Sequence, residues 1–221
     1  VRGIAEHILL AITRGWELPK EKIQERAEKI IAQADRMIHI INHVRVFARE
    51  AGKPQMSAVD VNDVVRAAMD MHGVQFRSWG IDMKSHLQQD LPATWGNGFS
   101  LEEVMLNLLA NARDAVLERM ESSNEPAGGR VSIHTSLTET GRIRVEVADN
   151  GIGVPEADRD RAFEPFYTSK GPDKGTGLGL SISRSIVEQF NGRIWIEAVA
   201  EGGTKAIVLL PTAAAAAPPR P

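Results

Sequence analysis

Apolar residues recur at helical spacing through the first fifty positions. A short stripe containing Ile4, Ile8 and Ile12 predicts a first helix, which ends near Gly15 and Pro19. A longer helix is predicted over residues 19–50, because its apolar positions alternate in steps of four and three, the spacing of a heptad seam. This spacing favours a helical bundle over the alternative, an amphipathic helix packed on a sheet. The seam residues are Ile23, Ala27, Ile30, Ala34, Met37, Ile41, Val44 and Ala48.

The pattern changes after Gly52-Lys53-Pro54, where the long helix ends. Helical spacing now alternates with short runs typical of strands. Asp60 is available to cap one helix, and Ser100 with Glu103 has capping-box spacing at the next. This mixture predicts an α+β fold with helices stacked on one face of a sheet. The predicted helices are 59–71, 101–120 and 178–190, and the predicted strands are 81–87, 93–95, 131–137, 143–147, 193–198 and 205–210.

Composition narrows the classes of function. The 221 residues carry a net charge of −3, which argues against a nucleic-acid-binding surface. The absence of cysteine excludes disulfides, thiolate zinc sites and cysteine nucleophiles, and fits a cytoplasmic protein. No apolar run is long enough to span a bilayer, so no membrane contact is expected from this chain. The chain does not begin with Met, so we expect it to be a piece of a longer protein.

One predicted helix carries a polar face with the oxygen ligands that Mg²⁺ prefers. Glu103, Asn107, Asn111 and Asp114 follow one another in steps of four, four and three, which keeps them on the same side of the helix. An Asn carbonyl oxygen can hold Mg²⁺ together with phosphate oxygens. A solvated helix face is the alternative interpretation of the same residues.

A carboxylate is directed toward the core where a predicted strand ends. Asp149 continues the inward phase of Ile143, Val145 and Val147. A buried carboxylate needs donors, and the amino group of adenine can supply one. The glycines at 151 and 153 let the backbone approach a ligand closely, although a plain Asp-Asn-Gly turn has the same sequence.

A glycine-rich segment, residues 175–180, opens the last helix and offers free N–H groups to phosphates. It is neither a Rossmann fingerprint, since no βαβ unit surrounds it, nor a P-loop, since it lacks the Lys-Ser/Thr ending. The preceding stretch is typical of a lid anchored by Phe163, Phe166 and Tyr167. Lys170 in that stretch can reach a phosphate, or is simply an exposed loop lysine.

These segments resemble, in order and spacing, the motifs of sensor histidine kinases, whose ATP-binding domain belongs to the GHKL superfamily. Residues 106–115 look like the N box, 149–153 like the first glycine box, 163–166 like the F box and 175–179 like the second glycine box. Residues 202–204 and 210–211 resemble the end of that domain.

The resemblance implies a Bergerat-type two-layer sandwich of helices on a mixed sheet, preceded by an antiparallel helical hairpin. It also implies ATP and Mg²⁺ as cofactors, with Asn111 coordinating Mg²⁺, Asn107 near the phosphates and Asp149 on the adenine amino group. The other ATP-binding positions that it implies are Asp114, Gly151, Gly153, Lys170, Thr176, Gly177, Leu178, Gly179 and Thr204.

Asn107 also separates this chain from related ATPases. Gyrase-like, mismatch-repair and heat-shock chaperone ATPases of this fold carry a Glu at the equivalent position to activate water. An Asn cannot take a proton at neutral pH, so the resemblance favours a kinase over an ATPase.

The histidine that such kinases phosphorylate is expected to be missing. His7 lacks the following acidic residue and nearby proline of the family's motif, so the chain is predicted to begin beyond the acceptor. His39 and His43 have the i,i+4 spacing of a metal pair, but without a third ligand a helix surface is favoured. The implied domains are a dimerisation hairpin with a truncated first helix at 1–52, a catalytic domain at 53–211 and an Ala/Pro tail or linker at 212–221.

The resemblance implies two partners, a second copy of the chain through the helical bundle and the receiver domain of a response regulator. A nucleotide-gated interaction module without phosphotransfer remains the alternative. A serine kinase of the anti-sigma or mitochondrial type is disfavoured by the two helices that precede the domain.

Overall fold

The computed structural model describes residues 2–14, 16, 19–27, 29–30, 56–122, 128–168 and 176–216. The chain forms two compact units, Val1–Pro54 and Gln55–Pro221. In the first unit, helix α1 spans Arg2–Thr13 and residues 20–27 are helical. The seam predicted beyond residue 30 lies outside the described residues, and so do His39 and His43. Over the described residues, no helix combines the length and apolarity needed to cross a membrane.

The second unit alternates helices with strands, as the sequence pattern predicts. Two single-turn 3₁₀ helices, Glu156–Asp158 and Arg161–Phe163, lie between the fifth strand and the fourth helix. The regular elements are β1 (Ser57–Val59), α2 (Val61–Ser78), β2 (Ile81–Leu87), β3 (Thr94–Gly96), α3 (Gly98–Ser122), β4 (Gly129–Leu137), β5 (Arg142–Asp149), α4 (Gly179–Gln189), β6 (Arg193–Ala198), β7 (Thr204–Pro211) and α5 (Ala213–Ala216).

The main sheet has five strands in the order β2-β4-β5-β7-β6. β2 runs parallel to β4, and the other neighbours are antiparallel. Buried residues of α2, α3 and α4 share one hydrophobic core with the inward-facing residues of the strands. The predicted two-layer sandwich of helices on a mixed sheet is therefore confirmed. The sequence pattern did not predict β1, which pairs with β3 in a separate two-stranded sheet.

The caps of two helices show where local sequence determines the fold. The side chain of Asp60 accepts hydrogen bonds from the N–H groups of Asn62 and Asp63 at 2.8 and 3.1 Å, as predicted for α2. The predicted capping box at Ser100 is wrong. Asn97 Oδ1 accepts from Ser100 N at 3.1 Å, so α3 begins at Gly98 and Ser100 lies in its first turn. Asn is as good a cap as Ser and stands earlier in the chain.

A buried polar network holds the start of α2 against the ends of β2 and β4. Asn62 Nδ2 donates to Gln88 O at 2.8 Å, and Thr135 Oγ1 donates to Asn62 Oδ1 at 2.7 Å. Gln88 N in turn donates to Thr135 Oγ1 at 3.1 Å. Asn62 is only 6% exposed, and its amide is satisfied on both sides. The network thus fixes the start of α2 against the C-terminal ends of the parallel strands β2 and β4.

Candidate nucleotide-binding site

Asp149 lies at the end of β5, on the helix-covered side of the sheet, and is 8% exposed. Its Oδ1 accepts hydrogen bonds from Gly151 N at 2.8 Å and Thr204 N at 3.2 Å. No donor among the described residues reaches its Oδ2. Burial raises the pKa of the Asp149 carboxyl to about 6, although the two N–H donors act to lower it. Two backbone donors thus hold one carboxylate oxygen, and the other oxygen could accept a hydrogen bond from a ligand.

Thr204 supplies a second polar group at the same place. It is the first residue of β7 and is 8% exposed, and its Oγ1 is buried without a hydrogen-bond partner among the described residues. Buried hydroxyls in native proteins are nearly always satisfied by protein, water or ligand. Thr204 Oγ1 and Asp149 Oδ2 together therefore fit a ligand that carries both hydrogen-bond donors and acceptors, as adenine does.

The glycines around Asp149 allow three segments of backbone to meet. A Cβ on Gly151 would lie 2.5 Å from the carbonyl carbon of Ala115 in α3, and Ile152 N donates to Ala115 O at 3.1 Å. Gly203 has φ +95°, and a Cβ there would overlap the carbonyl oxygen of Asp149. Gly153 also has positive φ, +79°. Close approach explains the glycines at 151 and 203, and positive φ explains the glycine at 153.

One residue of the polar face of α3, Asn107, contacts the N-terminal part of α4. Asn107 is 7% exposed, and its Nδ2 lies 3.4 Å from both Gly179 O and Ser183 Oγ. Ser183 Oγ itself donates to Gly179 O at 3.0 Å. The sequence analysis did not identify Ser183 as a contact of Asn107. The sequence feature that could have indicated it is its i+4 spacing from Gly179, which places both on one side of α4. Asn111 lies one turn beyond Asn107 and is half-buried.

Further along α3, Asp114 forms an ion pair with its neighbour in sequence. Arg113 Nε donates to Asp114 Oδ1 at 2.7 Å, and Arg113 Nη2 lies 2.5 Å from the same oxygen. The Arg113 guanidinium also lies over the Trp79 ring, 5.3 Å from its centroid. The predicted role of Asp114 in nucleotide binding stays a prediction, and the structure shows its carboxylate already held by a cation.

Glu103, at the other end of the polar face, differs from its neighbours. Its Oε1 is buried without a hydrogen-bond partner among the described residues. Burial raises the pKa of the Glu103 carboxyl to about 7. Near neutral pH this group is therefore divided between its charged and neutral forms.

The second glycine-rich segment meets the F box through its backbone. Phe166 N donates to Gly177 O at 2.8 Å, and Gly177 has φ +65°, with no room for a Cβ beside the Phe166 backbone. Leu178 N lies 3.4 Å from Thr176 Oγ1, and α4 begins at the next residue, Gly179. The N–H groups of this first turn point out of the helix end, as phosphate binding requires. Lys170 lies outside the described residues.

The aromatic residues of the expected lid anchor do not behave alike. Phe163 is 3% exposed, and the Arg184 guanidinium lies 4.4 Å from its ring centroid. Phe166 is 74% exposed, so its ring does not pack in the core as an anchoring residue would. Its φ of +66° brings its N–H to Gly177 and turns its ring outward. Tyr167 packs against the Arg161 guanidinium, 4.7 Å from the ring centroid.

Comparison with known proteins agrees with this geometry. The sequence model of the family described as histidine kinase-, DNA gyrase B-, and HSP90-like ATPase matches residues 96–214. The chain belongs to this family. Its relatives include the two-component sensor PprA of Pseudomonas aeruginosa, 32% identical over 90% of this chain and 21% of that protein. The C4-dicarboxylate transport sensor protein DctS of Rhodobacter capsulatus is 29% identical over 89% of this chain and 28% of its own length.

Solved structures of histidine kinases share the fold. The catalytic domain of histidine kinase ThkA superposes with a TM-score of 0.61 at 27% identity, over 72% of this chain and 96% of that one. Full-length ShkA in complex with AMPPNP gives 0.67 at 25% identity, over 92% and 42%. ThkA in complex with the response regulator protein TrrA gives 0.66 at 22% identity, over 95% and 56%, and shows the fold alone.

The resemblance to sensor histidine kinases is therefore confirmed. The chain contains a GHKL-type ATP-binding domain of that class. It spans between about a fifth and three tenths of the length of the two curated relatives described above.

Proposed function

We propose that this chain is the catalytic core of a sensor histidine kinase. It binds Mg²⁺–ATP and supplies the γ-phosphoryl group to a histidine of a helical bundle, for relay to an aspartate of a response regulator. The proposal rests on two polar groups that lie close together. Among the described residues, Asp149 Oδ2 has no donor and the buried hydroxyl of Thr204 has no hydrogen-bond partner.

Adenine recognition follows from that pairing. Asp149 Oδ2 accepts the N–H of the adenine amino group, and Thr204 Oγ1 hydrogen-bonds a ring nitrogen, directly or through water. The N–H groups of Gly151 and Thr204 hold the carboxylate by its other oxygen, so its orientation is set before ATP arrives. Gly153 lines the base on the same side. Pre-orientation of this kind lowers the entropy cost of binding.

The phosphates lie between α3 and the start of α4. Asn111 supplies a carbonyl ligand to Mg²⁺, and Asp114 borders the same part of the helix. The segment 176–179 presents N–H groups to the phosphate oxygens, and Lys170 adds a positive charge. A Mg²⁺ ion held there would neutralise charge on the phosphates, while the residues of the chain bind and orient the nucleotide.

Asn107 directs the site toward transfer to an external acceptor. Its amide cannot accept a proton from water, and its Nδ2 is directed toward Gly179 and Ser183 of α4. The side chain thus links the two helices that border the phosphates. We infer that ATP is held for a histidine nucleophile, and that its hydrolysis in this site is slow.

The partners follow from the class of protein. The heptad seam over residues 19–50 favours dimerisation through a helical bundle formed by residues 1–52, with the catalytic domain at 53–211 and a linker at 212–221. A response regulator receiver domain is the proposed acceptor downstream, supported by the shared fold of ThkA in its complex with TrrA. The acceptor histidine is not His7, and the proposed location is the cytoplasm.

Calorimetric titration with Mg²⁺–ATP tests the nucleotide site. Saturable binding is expected for the chain and is expected to be lost in Asp149→Asn. The matched control is Asp82→Asn, since Asp82 on β2 is exposed and forms a surface ion pair with Lys84 at 2.9 Å. Absence of binding to the unmodified chain would refute the proposal.

Incubation with γ-labelled ATP separates the alternatives for the acceptor. The chain is expected to retain no label, because it lacks the acceptor histidine. Acid-labile label on the chain would instead show that His7 or another histidine of this chain is phosphorylated. Binding without transfer to a cognate histidine helix supplied in trans would favour the nucleotide-gated interaction module.

A further inference from the structure

Two histidines lie side by side on the face of the sheet that the helices leave open. His86 in β2 and His134 in β4 are direct partners in the parallel register. Their ring centroids are 4.6 Å apart, and their planes are inclined by 26°. His86 is exposed and His134 is half-buried. The next residue of β4 on either side of His134 faces the core, so this pair lies on the opposite side of the sheet from Asp149.

The separation of the rings matches that of two imidazoles on one metal ion. Zinc–nitrogen bonds are about 2.0 Å long, so two imidazoles at adjacent positions of an ion have centroids about 4.5–5 Å apart. We propose that His86 and His134 form a surface site for a divalent transition metal of the Cu²⁺, Ni²⁺ and Zn²⁺ group. The exposed ring of His86 has room to rotate until a nitrogen of each ring faces the same ion.

The site has two protein ligands. Glu146 is the register partner of His134 in β5, but its carboxylate accepts from Arg144 Nε at 2.6 Å and lies 3.3 Å from Lys205 Nζ. Over the described part of the chain, no group of three His, Cys, Asp or Glu side chains is placed to hold a metal. Water or a second molecule therefore fills the other coordination positions, and the affinity is lower than that of a closed four-ligand site.

The choice of metal follows from the ligands. Neutral imidazole suits Cu²⁺, Ni²⁺ and Zn²⁺, with Cu²⁺ bound most tightly, whereas Mg²⁺ prefers oxygen ligands. Mg²⁺ and the transition metal therefore do not compete for the two faces of the sheet. Because β2 is an edge strand held on one side only, an ion that joins it to β4 raises the unfolding temperature of the domain.

Titration of the untagged chain with NiCl₂ in a non-chelating buffer tests the site. His86→Asn and His134→Asn are each expected to weaken one Ni²⁺ site at least tenfold and to abolish its contribution to the Ni²⁺-dependent rise in melting temperature. The double variant His39→Asn/His43→Asn is the control, because it removes the two histidines of i,i+4 spacing predicted for the long second helix and leaves the sheet unchanged.

Circular dichroism without metal shows whether the two sheet variants fold, and electron paramagnetic resonance with Cu²⁺ reports the bound nitrogens directly. Two histidine nitrogens in the Cu²⁺ spectrum, lost on either sheet substitution, would support the site. Unchanged Ni²⁺ binding in both folded sheet variants would overturn the proposal and leave the pair as cross-strand packing.

Discussion

The substitution Asp149→Asn is expected to affect ATP binding and domain stability in opposite directions. In the native domain, the N–H groups of Gly151 and Thr204 both donate to Oδ1. In the variant these donors select the amide oxygen, so the amide NH₂ takes the place of Oδ2. It then meets the adenine amino group as donor against donor. An unsatisfied buried pair of this kind costs about 3 kcal/mol, which is about 100-fold in affinity.

The effect on stability follows from the raised pKa of Asp149. Burial moves this pKa from 3.8 to about 6 in the folded domain, against the opposing effect of the Gly151 and Thr204 donors. The pKa of Asp149 is higher in the folded domain than in the unfolded chain. The stability that the protonated carboxyl contributes is therefore fully present below pH 3.8 and is lost as pH rises through about 6. A pKa difference of one corresponds to 1.36 kcal/mol, so burying the ionised carboxylate destabilises the nucleotide-free domain by about 3 kcal/mol at pH 7.

The amide carries no such cost. The Asp149→Asn chain without nucleotide is therefore expected to be more stable than the unmodified chain at pH 7, by about 1–3 kcal/mol once weaker hydrogen bonds are allowed for. At pH 5 the unmodified carboxyl is largely protonated, and the advantage of the variant shrinks by about 1 kcal/mol.

Urea unfolding followed by tryptophan fluorescence at pH 5 and pH 7 measures both differences. The control is again Asp82→Asn, whose side chain is 56% exposed in the native domain and should show neither effect. A variant less stable than the unmodified chain at pH 7, or a stability difference independent of pH, would refute the assignment of a buried ionised carboxylate. Unchanged ATP affinity would refute the orientation of its two oxygens.

Three further substitutions, with Gly202→Ala as the control for the first, test the packing of the domain. Gly203→Ala is expected to destabilise the domain by about 3 kcal/mol or more and to weaken ATP binding, because its Cβ overlaps the Asp149 carbonyl oxygen. Gly202 has nearly the same φ, +96°, but a Cβ there would meet no other atom, so Gly202→Ala should cost only about 1 kcal/mol. Equal losses of stability for the two alanine variants in thermal unfolding would contradict the overlap at Gly203. Glu103→Gln should stabilise the chain by about 1 kcal/mol at pH 8 and leave its stability unchanged at pH 4. Burial raises the pKa of the Glu103 carboxyl to about 7, so the group is neutral at low pH and costs nothing there. A stability gain that does not depend on pH would refute this raised pKa. Asn62→Ala should cost about 2–3 kcal/mol in urea unfolding, since it leaves the Gln88 carbonyl and the Thr135 hydroxyl unsatisfied, and a loss below 0.5 kcal/mol would show that water replaces the amide.

Local patterns were sufficient to predict the longer helices, the strands of the main sheet and the inward direction of Asp149. The alternation of buried and exposed positions along β5 continues without interruption to Asp149, as its sequence phase predicts. Such a pattern reports only on neighbours within one strand. The hydrogen bond from Thr204 and the unpartnered hydroxyl beside it depend on the pairing of β5 with β7, which no local pattern encodes.

The errors of prediction also have physical causes. Ser100 and Asn97 are both good helix caps, and the sequence does not state which of them begins α3. Phe166 was expected to help anchor a lid because it is aromatic, but its backbone, at φ +66° and hydrogen-bonded to Gly177, leaves its ring exposed. β1 has only three residues, and its strand partner β3 is far away in sequence, as in the pair Val59 and Thr94. Ser100 was thus a choice between two local caps, whereas the order of β1 depends on a long-range strand pairing that no local pattern reports.

The hydrogen bond between Phe166 N and Gly177 O has a consequence for how this domain tolerates change in length. It fixes the backbone at Phe166 and at Gly177 relative to each other, whatever the number of residues between them. The entropy of closing a chain segment grows by only about 0.6 kcal/mol for each doubling of its length. We therefore expect a short peptide inserted between positions 168 and 176 to change the unfolding temperature of the domain little.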